Sequence, residues 1–313
     1  MVEEVDGRRH DPVLLREVVE LAIPARPHGV LVDATVGLGG HSAALLERWP
    51  DARLIAIDRD PRALPIARER LAPFGNRVRL VEGRHEALID ILKGEAVETI
   101  DLLLADLGVS SMQLDDGERG FSFRFDAPLD MRMGSEGPTA ADLVNHLDER
   151  ELARIFRRWG EEPFAGPIAR AIVRAREETP LLTTGRLAEV IRSVKHARGS
   201  RIDPATLTFQ ALRIATNEEL VGLDAFVEAG VGALVMRGRI AVISFHSLED
   251  RIVKRAFRRL EGECTCPPDM PVCGCGARQT LRSVTRRPVE AGEEESKNNP
   301  RSRSAKLRVG EKV

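Results

Sequence analysis

The stretch Val30-Leu31-Val32-Asp33-Ala34-Thr35-Val36-Gly37-Leu38-Gly39-Gly40-His41-Ser42 leaves a chain few ways to fold. An apolar run ends in a carboxylate, turns on glycines and opens a helix. Glycine is needed where backbone takes positive φ or approaches a ligand closely, because a Cβ would clash there. Two cofactor classes use such a strand, turn and helix. Dinucleotides take the fingerprint G-x-G-x-x-G, with the pyrophosphate at the helix N-terminus. Here Gly37 and Gly39 supply two glycines, but Ser42 holds the third position and Gly40-His41 crowd the space a pyrophosphate needs. Asp33 would also repel phosphate. A carboxylate suits the cationic methionyl end of S-adenosyl-L-methionine, so a methyl donor is expected ahead of NAD. The plain alternative is an ordinary strand-to-helix corner.

The pattern continues as α/β. From Pro12 to Ala22 apolar residues recur at helical spacing, with proline in the first turn. A helix follows from His41 to Trp49, and then the strand Arg53 to Asp58, again ending in a carboxylate. Asp58 stands where open α/β sheets bind a ribose, and its two oxygens suit two hydroxyls. Its competing role is a helix N-cap before Pro61, for which Asp60 is better placed. A helix over Arg62 to Leu71, a strand over Arg77 to Val81 and a helix over Glu86 to Leu92 lead to the strand Ile100 to Asp106. Alternation of this kind implies a parallel sheet with right-handed crossovers.

From Gly108 to about Asp224 no strand-like run appears, and prolines punctuate at least four helical segments. Strand character returns at Gly238 to Phe245. The expected organisation is therefore a first sheet part over 1–107, an inserted helical subdomain over 108–224 and a second sheet part over 225–313. The tail is expected to form a hairpin at the sheet edge, from Leu281 to Val289 and Ser304 to Val309, around a polar loop with Glu293-Glu294-Glu295.

Composition sets limits on partners. The net charge of −2 does not exclude nucleic acid, since basic stretches are local. There are no tyrosines and two tryptophans, so base stacking must rely on phenylalanine, histidine or arginine planes. No signal-like or membrane-spanning stretch is evident, and the default compartment is the cytoplasm. The four cysteines fall as Cys264-x-Cys266 and Cys273-x-Cys275, which is not a secreted disulfide framework. Their spacing departs from the usual zinc motifs, so reduced loop thiols are expected ahead of a metal.

The loop after the fourth strand, Asp106-Leu107-Gly108-Val109-Ser110-Ser111-Met112-Gln113, lies where doubly wound sheets carry reacting groups. Enzymes that methylate an exocyclic base amine often have a polar residue followed by Pro-Pro-aromatic here. This chain keeps only the carboxylate. Asp106 is suited to orient an amino group toward a methyl carbon, a positioning effect. The phenylalanines and arginines of Arg119 to Asp126, followed by Pro128 to Met133 with Arg132, suit base stacking and phosphate contacts. The competing role for Phe121 and Phe123 is to anchor the inserted helices. Arg154, Arg157, Arg158, Arg170, Arg174, Arg176, Arg192, Lys195, Arg198 and Arg201 offer phosphate contacts or a solvated face. Phe209 and Arg213, at helical spacing, are expected to help hold a target base. His246 is expected either to touch substrate or to fix the turn from Ser244 to Asp250.

These motifs resemble the RsmH family, also called MraW, bacterial methyltransferases that modify N4 of a cytidine in the decoding region of 16S ribosomal RNA. The matching segments are His10 to Leu15, Asp33 to Ser42, Ala56 to Pro61, Asp106 to Met133, Pro204 to Asn217, Ile243 to Arg255 and Asn299 to Arg308. Ser244 to Arg251 and Asp106 to Ser111 are the most specific. The resemblance implies a class I S-adenosyl-L-methionine-dependent methyltransferase fold and a cofactor site at Gly39, Gly40, His41, Asp58, His85, Asp106 and Gln113. Asp33 and Gly37 join it from the glycine turn. It implies 16S rRNA within the small ribosomal subunit as partner, with no membrane. Ser110, Phe123, Arg132, Phe209, Arg213 and His246 are the expected substrate contacts, and no metal ligand is assigned. His85 stands where the family often has an aromatic residue, Met112 where it has proline, Gly134 where it has aspartate, and Asp203 where histidine often precedes the proline. The expected reaction is direct displacement, in which the cytosine N4 attacks the sulfonium methyl. The rivals are an NAD-linked dehydrogenase and a non-catalytic ribosome-assembly factor that binds RNA beside a vestigial pocket.

Overall fold

The computed structural model describes residues 4–5, 8–9, 12–196, 203–264, 266 and 274–313. The chain divides into two compact units, Met1–Gly108 with Gly222–Val313, and Val109–Val221.

The first unit is built on an eight-stranded sheet. Its strands are β1 (His28–Asp33), β2 (Asp51–Asp58), β3 (Val78–Glu82), β4 (Ile100–Asp106), β5 (Leu234–Ser244), β6 (Leu281–Ser283) and β7 (Lys306–Lys312), in the spatial order 3-2-1-4-5-7-6, with Val289–Glu290 pairing on β7. β3, β2, β1, β4 and β5 run parallel, and β7 is antiparallel to β5 with Leu307 opposite Ile243. Helices α1 (Leu15–Ala22), α2 (Gly40–Arg48), α3 (Ala63–Leu71), α4 (Leu88–Gly94), α11 (Leu223–Ala233) and α12 (Ser247–Leu260) belong to this unit. β4 is buried along Ile100 to Ala105, as a central parallel strand covered on both faces must be. Leu31, Leu54, Leu102, Ile243 and Leu307 pack with Val18, Leu45 and Leu46 in one core.

Two terminal features depart from the sequence reading. α1 begins at Leu15 rather than Pro12, because Leu14 takes a left-handed φ of 55° and its N–H donates to Glu295 Oε1 at 2.8 Å instead of entering a helical turn. The tail is not a simple edge hairpin: β7 lies inside the sheet between β5 and β6. The expected polar loop folds as α13 (Glu293–Asn298), whose first turn carries Glu293, Glu294 and Glu295 where the helix dipole favours negative charge.

The second unit is helical, from α5 (Ser111–Asp115) through α6 (Ala140–His146), α7 (Glu149–Gly160), α8 (Ala165–Glu178), α9 (Thr184–Val194) and α10 (Thr206–Asn217). Thr139 and Asp148 cap α6 and α7 with reciprocal bonds to Asp142 and Glu151, satisfying the exposed donors of each first turn. Phe156, Ile168, Ile172, Leu187, Ile191 and Leu212 form its core. An isolated bridge joins Pro128 and Thr183.

Candidate active site

Within the first unit, three carboxylates close three adjacent strands: Asp58 ends β2, Asp33 ends β1 and Asp106 ends β4. The glycine turn leaves β1 beside them. Gly37 and Gly39 have φ of 52° and 79°, a region costly for other residues. Gly40 opens α2, and a Cβ there would collide with the Pro12 ring.

Asp58 holds this turn in place. Its Oδ2 accepts from the Gly37 N–H at 2.7 Å and its Oδ1 from the Asp60 N–H at 2.8 Å. Each carboxylate oxygen has a second lone pair, so both remain able to accept a hydroxyl. Burial raises its pKa above the usual carboxylate range. The bond to the Arg62 N–H, at 3.1 Å, falls to Asp60.

Asp33 is 1% exposed. Ser42 Oγ donates to its Oδ2 at 2.6 Å, and the Thr35 N–H to its Oδ1 at 3.2 Å. Burial pushes its pKa up to about 6, against the lowering effect of those two bonds. Ser42 therefore has a positive role at the position where a dinucleotide turn would need glycine.

Asp106 is placed by its backbone, whose N–H donates to Thr35 Oγ1 at 2.6 Å. Its Oδ2 lies 3.6 Å from His41 Nδ1, while His41 Nε2 donates to the Val13 carbonyl at 2.9 Å. Its Oδ1 is buried with no hydrogen-bond partner among the described residues, although the side chain as a whole is 26% exposed. Burial first, then the neighbouring Asp33 and Glu249, raises its pKa well above the ordinary value.

His85 is buried, with its ring edge-on to Phe226 at 4.8 Å, and its Nε2 has no hydrogen-bond partner among the described residues. Burial lowers its pKa, which favours the neutral imidazole. His246 caps α12. Its Nδ1 accepts from the Glu249 N–H at 3.4 Å, and Glu249 Oε2 accepts from the N–H groups of Phe245 at 2.7 Å and His246 at 3.3 Å. The turn-fixing role weighed for His246 is thus present in the geometry.

In the second unit, Ser110 and Gln113 cap α5 against one another: Ser110 Oγ accepts from the Gln113 N–H at 3.2 Å, and Gln113 Oε1 from the Ser110 N–H at 2.9 Å. Arg132 forms a two-bond fork with Asp130 at 2.8 Å and donates to the carbonyls of Ser135 and Gly137. Arg213 forms a similar fork with Glu219 at 2.9 and 2.8 Å. Phe209 is 4% exposed and meets Phe123 edge-on at 4.8 Å, with the Arg192 guanidinium 5.6 Å from the Phe123 ring centre. The phenylalanine that the loop presents is Phe125, 65% exposed, beside exposed Arg124. Of the arginines read as phosphate contacts, Arg176 donates to the carbonyls of Val144 and Leu147, Arg170 pairs with Glu149, and Arg192 pairs with Asp203.

Sequence reasoning missed Thr35 and Glu249, which act on Asp106 through its backbone and its charge. The signal for Glu249 was its place three residues after the cap His246; Thr35 had none beyond standing inside the turn.

Three strand-end acids of raised pKa, one with an oxygen that has no partner among the described residues, fit a ligand that brings positive charge and hydroxyl donors. That is the chemistry of a sulfonium nucleoside bearing an amino acid. Sheet order, antiparallel β7, glycine turn and strand-end acids together define a class I S-adenosyl-L-methionine-dependent methyltransferase. A family model described as the MraW methylase family matches residues 7–313, and the chain belongs to that family. The ribosomal RNA small subunit methyltransferase H of Anaeromyxobacter sp. (strain K) is 53% identical over 307 residues, covering 97% of this chain and 98% of that one. The protein of the same name from Trichlorobacter lovleyi is 53% identical over 308 residues, covering 97% and 98%. That from Symbiobacterium thermophilum is 52% identical over 304 residues, covering 96% and 95%.

Proposed function

We propose that this methyltransferase modifies N4 of a cytidine in the decoding region of 16S rRNA, acting on the small ribosomal subunit. The observation that carries the reading is the buried Oδ1 of Asp106 at the end of β4, which has no hydrogen-bond partner among the described residues. An exocyclic amine has N–H donors to offer such an oxygen. Asp106 would accept one of them and hold the nitrogen lone pair toward the methyl carbon. S-adenosyl-L-methionine supplies an electrophilic methyl on a sulfonium. Asp58 would receive the ribose hydroxyls, the turn at Gly37, Gly39 and Gly40 would let the backbone approach closely, and His85 would line the site as a neutral ring. Asp33, being enclosed, would act by its charge on the methionyl end and by bracing Ser42. His41, whose Nδ1 faces Asp106 Oδ2, would steady that carboxyl as long as it keeps its proton. The amine grows more acidic as it is alkylated, so its proton leaves late, to Asp106 or to water.

For the RNA, the exposed pair Arg124 and Phe125 supports phosphate contact and base stacking within the helical unit. Ser110, Arg132, Phe209 and Arg213, the other expected substrate contacts of this unit, each also have a folding role there.

The test is methyl transfer from labelled S-adenosyl-L-methionine to small subunits lacking the modification, with naked 16S rRNA and an Asp106→Ala protein alongside. Label at one cytidine N4, greatly reduced in the variant, is the expected result. Tight cofactor binding with no label on either RNA would favour the assembly-factor reading instead.

A further inference from the structure

The loop between α12 and β6 brings together thiols that the methyl-transfer reading does not use. Cys264, Cys266 and Cys275 place their sulfur atoms within 4.8 Å of one another. Cys264 and Cys275 are 3.7 Å apart, sulfur to sulfur. A disulfide needs about 2.05 Å, whereas two thiolates on one tetrahedral Zn²⁺, each at about 2.3 Å, sit about 3.8 Å apart. The Cys264–Cys275 edge thus has the length found between two thiolates on one metal, too long for a disulfide bond, and Cys266 Sγ lies within 4.8 Å of both.

Two further features suit thiolates. The Cys266 N–H donates to Cys264 Sγ, and the Gly274 N–H to Cys266 Sγ, both at 3.4 Å. Backbone N–H donors to sulfur are the contacts that metal-bound cysteine sulfurs commonly accept. The base of the loop is also closed: the Thr280 N–H donates to the Leu260 carbonyl at 2.7 Å, and Gly262, at φ 87°, packs 3.3 Å from the Gln279 backbone nitrogen as measured from the position its Cβ would take. Cys264 and Cys275 are exposed and Cys266 is half-buried, so among the described residues no apolar core holds the three thiols together.

We propose that Cys264, Cys266 and Cys275 form a structural zinc site that holds this excursion together. The C-x-C spacing that disfavoured zinc in the sequence is compensated by the loop closure, which brings Cys275 to the Cys264 pair. Each coordinating thiol releases its proton to solvent as its Zn–S bond forms. The fourth corner is left to another donor; Cys273, two residues from Cys275, lies outside the described residues.

The experiment uses the full chain, purified under a thiol reductant that does not bind metal, with zinc measured by elemental analysis and the metal-stripped protein titrated with Co²⁺. About one Zn²⁺ per chain is expected, and Co²⁺ should give the intense sulfur-to-metal charge-transfer and tetrahedral ligand-field bands of thiolate coordination. The Cys264→Ser/Cys275→Ser double variant should lose bound metal at least about tenfold while keeping its helical circular dichroism. Absence of metal and of those bands in the wild-type chain would overturn the proposal without involving any variant. So would metal retained in the double variant, or a Cys264–Cys275 disulfide forming in a reduced-then-aired sample that takes up no Co²⁺.

Discussion

His41 Nδ1 faces Asp106 Oδ2 across 3.6 Å while the opposite ring nitrogen commits its proton to the Val13 carbonyl. A neutral His41 then turns a lone pair toward the carboxylate, and the pair is comfortable only when a proton is held between them. Burial and the neighbouring Asp33 and Glu249 favour that proton on Asp106. Cofactor and substrate amine would replace it with positive charge and an N–H donor.

Asp106→Asn follows directly, since the amide copies the protonated acid. A raised folded-state pKa means that the folded chain binds the proton more tightly than the unfolded one, so wild-type stability falls as pH rises from the ordinary carboxylate range through the folded value. The variant lacks that loss. Its melting temperature should exceed that of the wild type by a few degrees at about pH 8 and converge with it at about pH 4, while methyl transfer falls by about a hundredfold or more. A variant less stable than wild type at the higher pH would show that Asp106 is not strained by its neighbours.

Asp33 makes a second pH prediction. With a pKa near 6 in the cofactor-free protein, it is about one-tenth ionised at pH 5 and almost fully ionised at about pH 8. A cationic ligand prefers the ionised form, so S-adenosyl-L-methionine should bind about tenfold more tightly at the higher pH. Adenosine, which lacks the cationic end, should show no such slope. Calorimetric titration of both ligands decides it: equal slopes would remove Asp33 from recognition of the methionyl end.

The strand-end acids were legible in the sequence because an apolar run that stops at a carboxylate gives both the strand and its terminus; Ile100 to Asp106 is the plainest case. What was not legible depended on contacts distant in the chain. Glu295 reaches Leu14 and delays α1, and β7 enters the sheet beside β5, a pairing that no local pattern encodes. Burial also sorted the phenylalanines in a way spacing does not reveal: Phe121, Phe123 and Phe209 pack into or against the helical core, and Phe125 is exposed.

That sorting separates two substitutions. Phe209→Ala should destabilise the protein by about 3 kcal/mol through the lost ring and its cavity, with RNA affinity altered only as far as folding is. Phe125→Ala should leave the melting temperature within about a degree and weaken RNA binding several-fold, because an exposed ring gives up stacking and no core. Denaturant unfolding and subunit binding, measured on both proteins, check this. Wild-type RNA affinity in Phe125→Ala would withdraw the stacking role.

Arg213 and Glu219 supply the last contrast, between a guanidinium that holds substrate and one that holds the fold. Their side chains are 16% and 6% exposed, and both carboxylate oxygens are engaged by the fork. Removing one partner strands the other's charge in a poorly solvated place, at a cost of roughly 3 kcal/mol. Removing both charges spares that cost, so Arg213→Met with Glu219→Gln together should recover most of the stability lost by Arg213→Met alone. If Arg213 serves mainly the fold, methyl transfer should recover in the double variant along with stability. If it also grips the cytosine, stability will return while KM for the ribosomal subunit stays high, because no neutral side chain replaces a guanidinium at a base edge or phosphate.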